Sequence, residues 1–321
     1  MRCTSPITIN DRQFNCGHCM ACRINYKRMW SLRLIYELST NNSASFVTLT
    51  YKDEFLPENC SLIKKHLQDF FKRLRINLQR EYHEFTPKIR YYACGEYGEK
   101  GGIVQSGIYS GQLIHRPHYH AIIYGLDNFN DKHREILRKS WNYCEPWFFD
   151  KDRGRQSGMQ EVTPDDIQYV CGYIQKKLYG EMAQNEYEQK GKIAPFSVCS
   201  QGLGLDFCLQ NKDRLIQNGW TYFNGHQVSL PRYFADKLGV KKSDYIQTNY
   251  NLHQFELENE EIFNLFKKDM EIMGINFDTL QQNSRMFEIR LKHWFEKKEY
   301  EYTNQVFKDF QQKQKLLNHN L

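Results

Sequence analysis

The sequence predicts an α+β fold in which helices pack on an antiparallel sheet. Strand-like runs alternate with amphipathic helical stretches, and the strands at 88–97 and 117–125 flank a glycine-rich loop, as in a long hairpin. The chain has 321 residues, of which 40% are hydrophobic and 15% aromatic, enough for one sizeable core with appendages. No stretch approaches the roughly eighteen apolar residues that a membrane span needs, so we expect no membrane partner.

The expected elements follow one another with short connections. In chain order they are a cysteine segment and helix at 1–42, a strand at 45–51, a helix at 60–81, strands at 88–97 and 117–125, a helix at 130–141, a short strand near 158–162 and a helix at 164–180. They define a cysteine-rich segment with a basic helix (1–42), a core (43–181), a turn-rich extension (182–250) and a charged helical tail (251–321).

Four of the ten cysteines lie near the start of the sequence: Cys3, Cys16, Cys19 and Cys22. Four thiolates are the ligand set of a tetrahedral structural Zn²⁺ site, which we favour. An iron–sulfur cluster and plain reduced thiols are the alternatives. The other cysteines are scattered and no signal-like segment opens the sequence, so a secreted disulfide framework is not expected.

Two basic helices are candidates for contact with nucleic acid, although the net charge of +6 is modest. The first follows the cysteines and carries Arg23, Lys27, Arg28 and Arg33. The second is the helix at 60–81, with leucines and phenylalanines inward and basic groups outward. Its candidate DNA-binding residues are Lys64, Lys65, Lys72, Arg73 and Arg75. The alternative for this helix is a solvated face. The tail from 252 has 10 Lys or Arg against 12 Asp or Glu, so it is not a basic arm.

The strand at 117–125 contains two histidines separated by one residue, His118 and His120. Alternate side chains of a strand share a face, so the two imidazoles project together, about 7 Å apart at the backbone. Tyr119, Ala121 and Ile123 then fill the opposite, buried face. The pair can converge on one divalent ion, and the alternative is two half-exposed histidines on the sheet surface.

A helix is predicted from 164 to 180 by its start signals and its periodicity. Thr163 and Asp166 resemble a capping box, with Pro164 at the first helical position. Ile167, Val170, Ile174 and Leu178 form one apolar stripe that should face the core.

Tyr169, Tyr173 and Lys176 fall on a different face of this helix. The alternative is that the tyrosines are ordinary core aromatics. Because they lie off the apolar stripe, we interpret the two phenols beside an ammonium group as a nucleophile site.

Together the histidines and tyrosines suggest phosphoryl transfer to a phenol. A phenol has a pKa near 10 and attacks a phosphodiester only when a metal ion polarises the phosphate and a cation supports the developing charge. Lys176 could supply that cation. Mg²⁺ or Mn²⁺ binds better when an oxygen ligand joins the imidazoles, and Glu96, at the end of the strand at 88–97, is the candidate. The alternative for Glu96 is an exposed acid at a strand end.

These motifs resemble the HUH endonucleases that start rolling-circle replication. The wider pattern is similar to the replication initiators of gokushovirus-type microviruses, which are single-stranded DNA phages. The matching segments, in order, are 16–23, 46–51, 94–98, the histidine and tyrosine motifs, and 231–233. The chain departs from the pattern in the long loop at 99–115 and at Gly172, where related sequences tend to have a basic residue.

The resemblance implies an HUH-type nicking core at 43–181 and a site-specific single-strand DNA endonuclease and ligase that starts and ends rolling-circle replication. It assigns His118 and His120 as metal ligands and Tyr169 and Tyr173 as nucleophiles that form a 5′-phosphotyrosine and free a 3′-hydroxyl. Lys176 slightly favours Tyr173 for the first cut. The implied partners are origin DNA and a host helicase and polymerase in the bacterial cytoplasm, since the chain has no phosphate-binding loop of its own.

Two other functions fit parts of the sequence. A transposase or relaxase uses the same constellation, and a non-enzymatic, zinc-stabilised DNA-binding protein would use the histidines and tyrosines only for packing.

Overall fold

A computed structural model of the chain describes residues 3–10, 12–176, 183–223, 226–240, 260–282, 290 and 294. The chain divides into two compact units. One, the terminal unit, comprises Met1–Asn25 with Asp213–Leu321, and the other, the central unit, comprises Tyr26–Lys212.

The described strands and helices are numbered in chain order. The strands are β1 (Ile7–Ile9), β2 (Arg12–Phe14), β3 (Ala44–Leu49), β4 (Arg90–Tyr97), β5 (Gly102–Ile103), β6 (Leu113–Ile114), β7 (Pro117–Tyr124), β8 (Met159–Glu161), β9 (Phe196–Cys199), β10 (Trp220–Phe223) and β11 (His226–Ser229). The helices are α1 (Met20–Ser39), α2 (Lys64–Tyr82), α3 (Asp131–Ser140), α4 (Pro164–Lys176), α5 (Leu205–Gln210), α6 (Lys212–Asn218), α7 (Arg232–Leu238), α8 (Glu260–Ile272) and α9 (Phe277–Gln282).

The central unit is built on a five-stranded sheet in the order β8-β3-β7-β4-β9. Every pairing in it is antiparallel, which confirms the predicted α+β class. Strand β7 occupies the centre, between β3 and β4. Strand β9 lies beyond residue 181, so the sheet draws a strand from the region expected to be a turn-rich extension.

One surface of this sheet, the core face, is apolar. Tyr119, Ala121 and Ile123 of β7 are fully buried on it, as the alternation of β7 predicted. Helix α2 packs its own apolar side chains over them, including Phe70 and Phe71. The helix begins at Lys64, four residues later than expected at 60.

The other surface, the site face, carries His118, His120, Ile122 and Tyr124 of β7. Helices α1 and α4 cover its apolar part, with Ile167 and Val170 buried as the apolar stripe predicted. The side chain of Ile174 and all of Leu178 lie outside the described residues. The predicted capping box is confirmed, because the Thr163 backbone N–H donates to Asp166 Oδ2 over 2.8 Å and the Asp166 N–H donates to Thr163 Oγ1 over 3.3 Å.

The basic residues of α2 therefore lie on a helix that covers the core face. Most of them are exposed as expected: Lys64, Lys65, Lys72 and Arg75. For Arg73 the expected outward direction is wrong, because its Nε donates to the Ser140 carbonyl over 2.8 Å and ties α2 to α3. Arg33 on α1 is also buried, and its Nε donates to the Leu203 carbonyl.

The terminal unit contains two hairpins, β1–β2 and β10–β11, and helices α7, α8 and α9. Phe266 of α8 is fully buried against the rings of Phe277 and Trp294, at 5.9 and 5.4 Å. The expected helical tail is helical at 260–272 and 277–282, and most of its remaining residues lie outside the described ranges. Within the described part of the chain, no helix is long and apolar enough to cross a membrane.

Candidate active site

The pairing of β4 with β7 brings a carboxylate to the two histidines. Glu96 is the direct cross-strand partner of His118, although the long loop separates them in sequence. Glu96 Oε1 lies 2.8 Å from His118 Nε2 and 3.3 Å from His120 Nε2. The ligand atoms of the three residues all lie within 4.8 Å of one another. The structure thus assembles the predicted set of Glu96, His118 and His120, which we call the triad.

The other nitrogen of each ring is held by the protein. His118 Nδ1 lies 3.1 Å from the Arg116 carbonyl oxygen, and His120 Nδ1 lies 3.0 Å from Thr48 Oγ1. A carbonyl oxygen can only accept, so His118 Nδ1 carries a proton and Nε2 can act as a ligand. Such contacts fix the tautomer and orientation of metal-binding imidazoles. The sequence analysis missed Thr48 and the Arg116 carbonyl, because neither contact has a local signal in the sequence of the motif.

The electrostatics of the triad favour a bound cation. Burial by itself raises the pKa of the Glu96 carboxyl, but the hydrogen bonds from His118 and His120 outweigh it and lower that pKa to about 2. Glu96 is therefore an anion at neutral pH. Two imidazole nitrogens and one carboxylate oxygen fit a divalent ion and leave further coordination positions for phosphate oxygens.

Helix α4 presents both predicted tyrosines to the triad. The His120 ring centre lies 5.7 Å from that of Tyr169 and 5.3 Å from that of Tyr173, with which it stacks. The two phenol rings are 4.8 Å apart. Both phenols and the triad therefore occupy one site.

The two tyrosines differ in burial. Tyr169 is 52% exposed, whereas Tyr173 is only 5% exposed and packs with the apolar residues under α4. The expectation that both lie off the core is thus wrong for Tyr173, because four residues of helix rotate it about 40° towards the apolar stripe. Burial, together with the neighbouring Tyr169 phenol and the Glu96 carboxylate, raises the pKa of Tyr173 far above its ordinary value.

A cation from a different helix lies beside the tyrosines. A methyl group built on Gly172 would lie 3.7 Å from Nζ of Lys27, a residue of α1. Gly172 is about 60° around α4 from Tyr169, so the Lys27 ammonium lies at the edge of the tyrosine face. The predicted cation, Lys176, ends the described part of α4 and its side chain lies outside it. Lys27 was recognised as basic, but its contact with residue 172 has no local sequence signal.

The four N-terminal cysteines also converge, in the terminal unit. Their sulfur atoms all lie within 4.8 Å of one another, and all four are free of disulfides. The predicted group of Cys3, Cys16, Cys19 and Cys22 is therefore able to hold a metal ion.

Comparison with known proteins supports the resemblance seen in the sequence. Residues 44–104 match the family described as replication-associated protein ORF2. This range includes Thr48 and Glu96 but neither the histidines nor the tyrosines of the site.

The chain is also similar to three viral proteins over most of its length. It is 26% identical over 251 residues to replication-associated protein ORF2 of Spiroplasma virus 4, covering 73% of this chain and 70% of the relative. It is 27% identical over 255 residues to replication-associated protein ORF4 of Chlamydia phage 1, covering 74% and 57%. It is 26% identical over 228 residues to replication-associated protein VP4 of Bdellovibrio phage phiMH2K, covering 70% and 66%.

These similarities confirm the predicted resemblance to viral replication-associated proteins. The chain spans 57% of the Chlamydia phage protein's length and 66% of the Bdellovibrio phage protein's length. No solved structure matches the chain significantly.

Proposed function

We propose that this chain is a phage replication initiator that nicks one DNA strand at an origin and later rejoins it, through covalent tyrosine intermediates. The observation that carries the proposal is the meeting of two phenols with the triad, at ring separations of 5.3 and 5.7 Å from His120. The similarity to viral replication-associated proteins favours this function over that of a transposase or relaxase.

The first transfer exchanges one phosphoester for another. The Tyr169 oxygen attacks the scissile phosphorus and forms a P–O bond, while the bond from phosphorus to the 3′ oxygen breaks. The phenol loses a proton and the 3′ oxygen gains one, which yields a free 3′-hydroxyl and a 5′-phosphotyrosine. We assign this step to Tyr169 because it is half exposed and accessible to DNA, which replaces the sequence-based preference for Tyr173.

The triad residues would hold Mg²⁺ or Mn²⁺ through His118 Nε2, His120 Nε2 and a Glu96 oxygen. When bound, such an ion polarises the phosphate oxygens and lowers the barrier to attack. Lys27 adds positive charge at the edge of the tyrosine face, where the phosphate accumulates negative charge. We assign the same supporting role to Lys176.

Tyr173 is the second nucleophile. Burial keeps it a neutral phenol beneath Tyr169 during the first cut. After one round of synthesis it attacks the regenerated origin, and the newly released 3′-hydroxyl attacks the Tyr169 phosphoester to close the circle. Because the ester bond conserves the energy of the phosphodiester, ligation needs no nucleotide cofactor.

The proposed partners follow from this chemistry. The protein acts on origin DNA in the host bacterial cytoplasm and depends on a host helicase and polymerase. The cysteine group, for which Zn²⁺ is the candidate metal, has no part in the transfer.

A covalent-adduct assay tests the proposal. The purified full chain is incubated with Mn²⁺ and single-stranded viral origin DNA labelled at its 3′ end, and the products are denatured. Because the protein joins the 5′ end of the downstream fragment, the label should migrate with the protein. The adduct should disappear in the Tyr169→Phe/Tyr173→Phe double variant and persist in Tyr143→Phe, a tyrosine on the core face. Cleavage by the double variant at the wild-type rate, or no cleavage of any viral strand by the wild type, would overturn the proposal.

A further inference from the structure

The N-terminal cysteine group has the dimensions of a single-ion site. Cys3 Sγ lies 3.5 Å from Cys16 Sγ and 3.8 Å from Cys19 Sγ. Four sulfurs at about 2.3 Å from one tetrahedral ion would be separated by about 3.8 Å, which agrees with these distances. A disulfide needs sulfurs about 2.05 Å apart. An iron–sulfur cluster spreads its thiolates over several iron ions and so spaces them more widely.

The local backbone is arranged to stabilise thiolates. Gly17 has a positive φ of 77°, and the turn that it permits folds the chain back over Cys16. As a result, the backbone N–H groups of His18 and Cys19 both donate to Cys16 Sγ, over 3.4 and 3.2 Å. The N–H of Cys16 donates in turn to Cys3 Sγ over 3.3 Å.

The segment enclosed by these cysteines has little else to hold it. Between Cys3 and Cys16 the chain forms hairpin β1–β2, whose strands have only three residues each. The apolar side chains of Ile7, Ile9 and Phe14 are about half exposed, at 48%, 54% and 48%. An isolated two-stranded hairpin is marginal in water, and this one buries too little apolar surface to be stable by itself.

We infer that Cys3, Cys16, Cys19 and Cys22 bind one structural Zn²⁺ that folds the N-terminal hairpin onto the first turn of α1. Four thiolates in such close proximity repel one another unless a cation lies between them, and soft thiolate ligands select Zn²⁺ over Mg²⁺ or Mn²⁺. Four protein ligands complete a tetrahedral site and leave no position for a substrate, so the ion stabilises structure and takes no part in strand transfer.

Metal analysis of the purified full chain tests this inference. One Zn²⁺ per chain should be present, and replacement by Co²⁺ should produce the visible absorption bands of tetrahedral cobalt with four thiolates. Cys22→Ser should lose the metal, whereas Cys199→Ser, at an exposed cysteine outside the group, should retain it. Cys16→His substitutes another zinc ligand at a half-buried position, so it should retain one metal ion with a shifted cobalt spectrum.

The possible results separate clearly. Iron in place of zinc, a disulfide within the group, or four reduced thiols without metal in a folded chain would each overturn the inference. If Cys22→Ser does not fold, the Co²⁺ spectra of the wild type and Cys16→His still decide it. Neither readout involves DNA, so failure of the zinc site and failure of the nicking activity are independent results.

Discussion

The two faces of the central sheet are built from the same strands but serve different purposes. On the core face of β7, the polar atom of Tyr119 has structural partners: its hydroxyl donates to the Ile63 carbonyl, accepts from the Ile63 N–H and meets the Tyr51 hydroxyl. On the site face, the His118 and His120 Nε2 atoms instead converge on one carboxylate oxygen. Burial alone therefore does not distinguish the faces. What distinguishes them is whether the polar atoms bind neighbouring backbone or converge on a common point.

The basic helices teach the same lesson. Helix α2 is rich in lysine and arginine, yet it covers the core face, across the sheet from the triad. Helix α1 is less basic, yet its Lys27 lies against the tyrosine helix. Charge density in the sequence did not indicate which helix approaches the site.

The largest expected difference between the faces is at two adjacent residues of β7. His118→Ala removes a metal ligand, so cleavage of single-stranded origin DNA should fall by about 10³-fold or more, while the melting temperature changes little. Tyr119→Phe leaves the Ile63 backbone groups without a partner and should lower the free energy of unfolding by about 1–3 kcal/mol, while the folded protein still cleaves. Cleavage assays and thermal melting on both variants check this. A Tyr119→Phe variant that folds normally but does not cleave would contradict the division.

The next largest difference should separate the two tyrosines. Tyr169→Phe should slow the first cleavage by at least about a hundredfold, because it removes the exposed nucleophile. Tyr173→Phe should leave first cleavage nearly intact and instead abolish the second transfer, which is measured as loss of circular product from a substrate carrying two origins. If Tyr173→Phe blocks the first cleavage and Tyr169→Phe does not, the order of the two nucleophiles is reversed.

A smaller effect is expected at Thr48, which touches the triad without being part of it. Thr48→Val removes the hydroxyl that holds His120 Nδ1 and should weaken Mn²⁺ binding by about 10- to 100-fold. Thr48→Ser keeps the hydroxyl and should restore binding. Titration calorimetry, or electron paramagnetic resonance of free Mn²⁺, measures this without DNA. Equal affinities for all three proteins would show that Thr48 does not orient His120.

The smallest effect should distinguish the cations of the two faces. Lys27→Ala should lower the cleavage rate about tenfold, equal to about 1.4 kcal/mol, by removing positive charge beside the tyrosines. Lys72→Ala on α2 is the matched control, since it removes an exposed lysine from the core-face helix, and it should leave the rate unchanged. A larger loss in Lys72→Ala than in Lys27→Ala would indicate that DNA also follows α2.

Much of the site could be predicted because its local parts have regular periods. The alternation of β7 placed His118 and His120 together, and the capping box of α4 marked the start of the tyrosine helix. The prediction failed where two elements meet. The burial of Tyr173 and the inward direction of Arg73 depend on what covers each helix, which no residue within the helix specifies.

The sequence by itself therefore determined which residues share a face of each strand or helix, because backbone geometry within an element sets those periods over a few residues. Only the tertiary structure decided which faces meet. The register of β4 against β7 places Glu96 on His118, the packing of α1 against α4 places Lys27 on Gly172, and the pairing of β9 with β4 completes the sheet. These contacts join residues that are far apart in the chain, and they are selected by the burial of the whole core rather than by any local pattern.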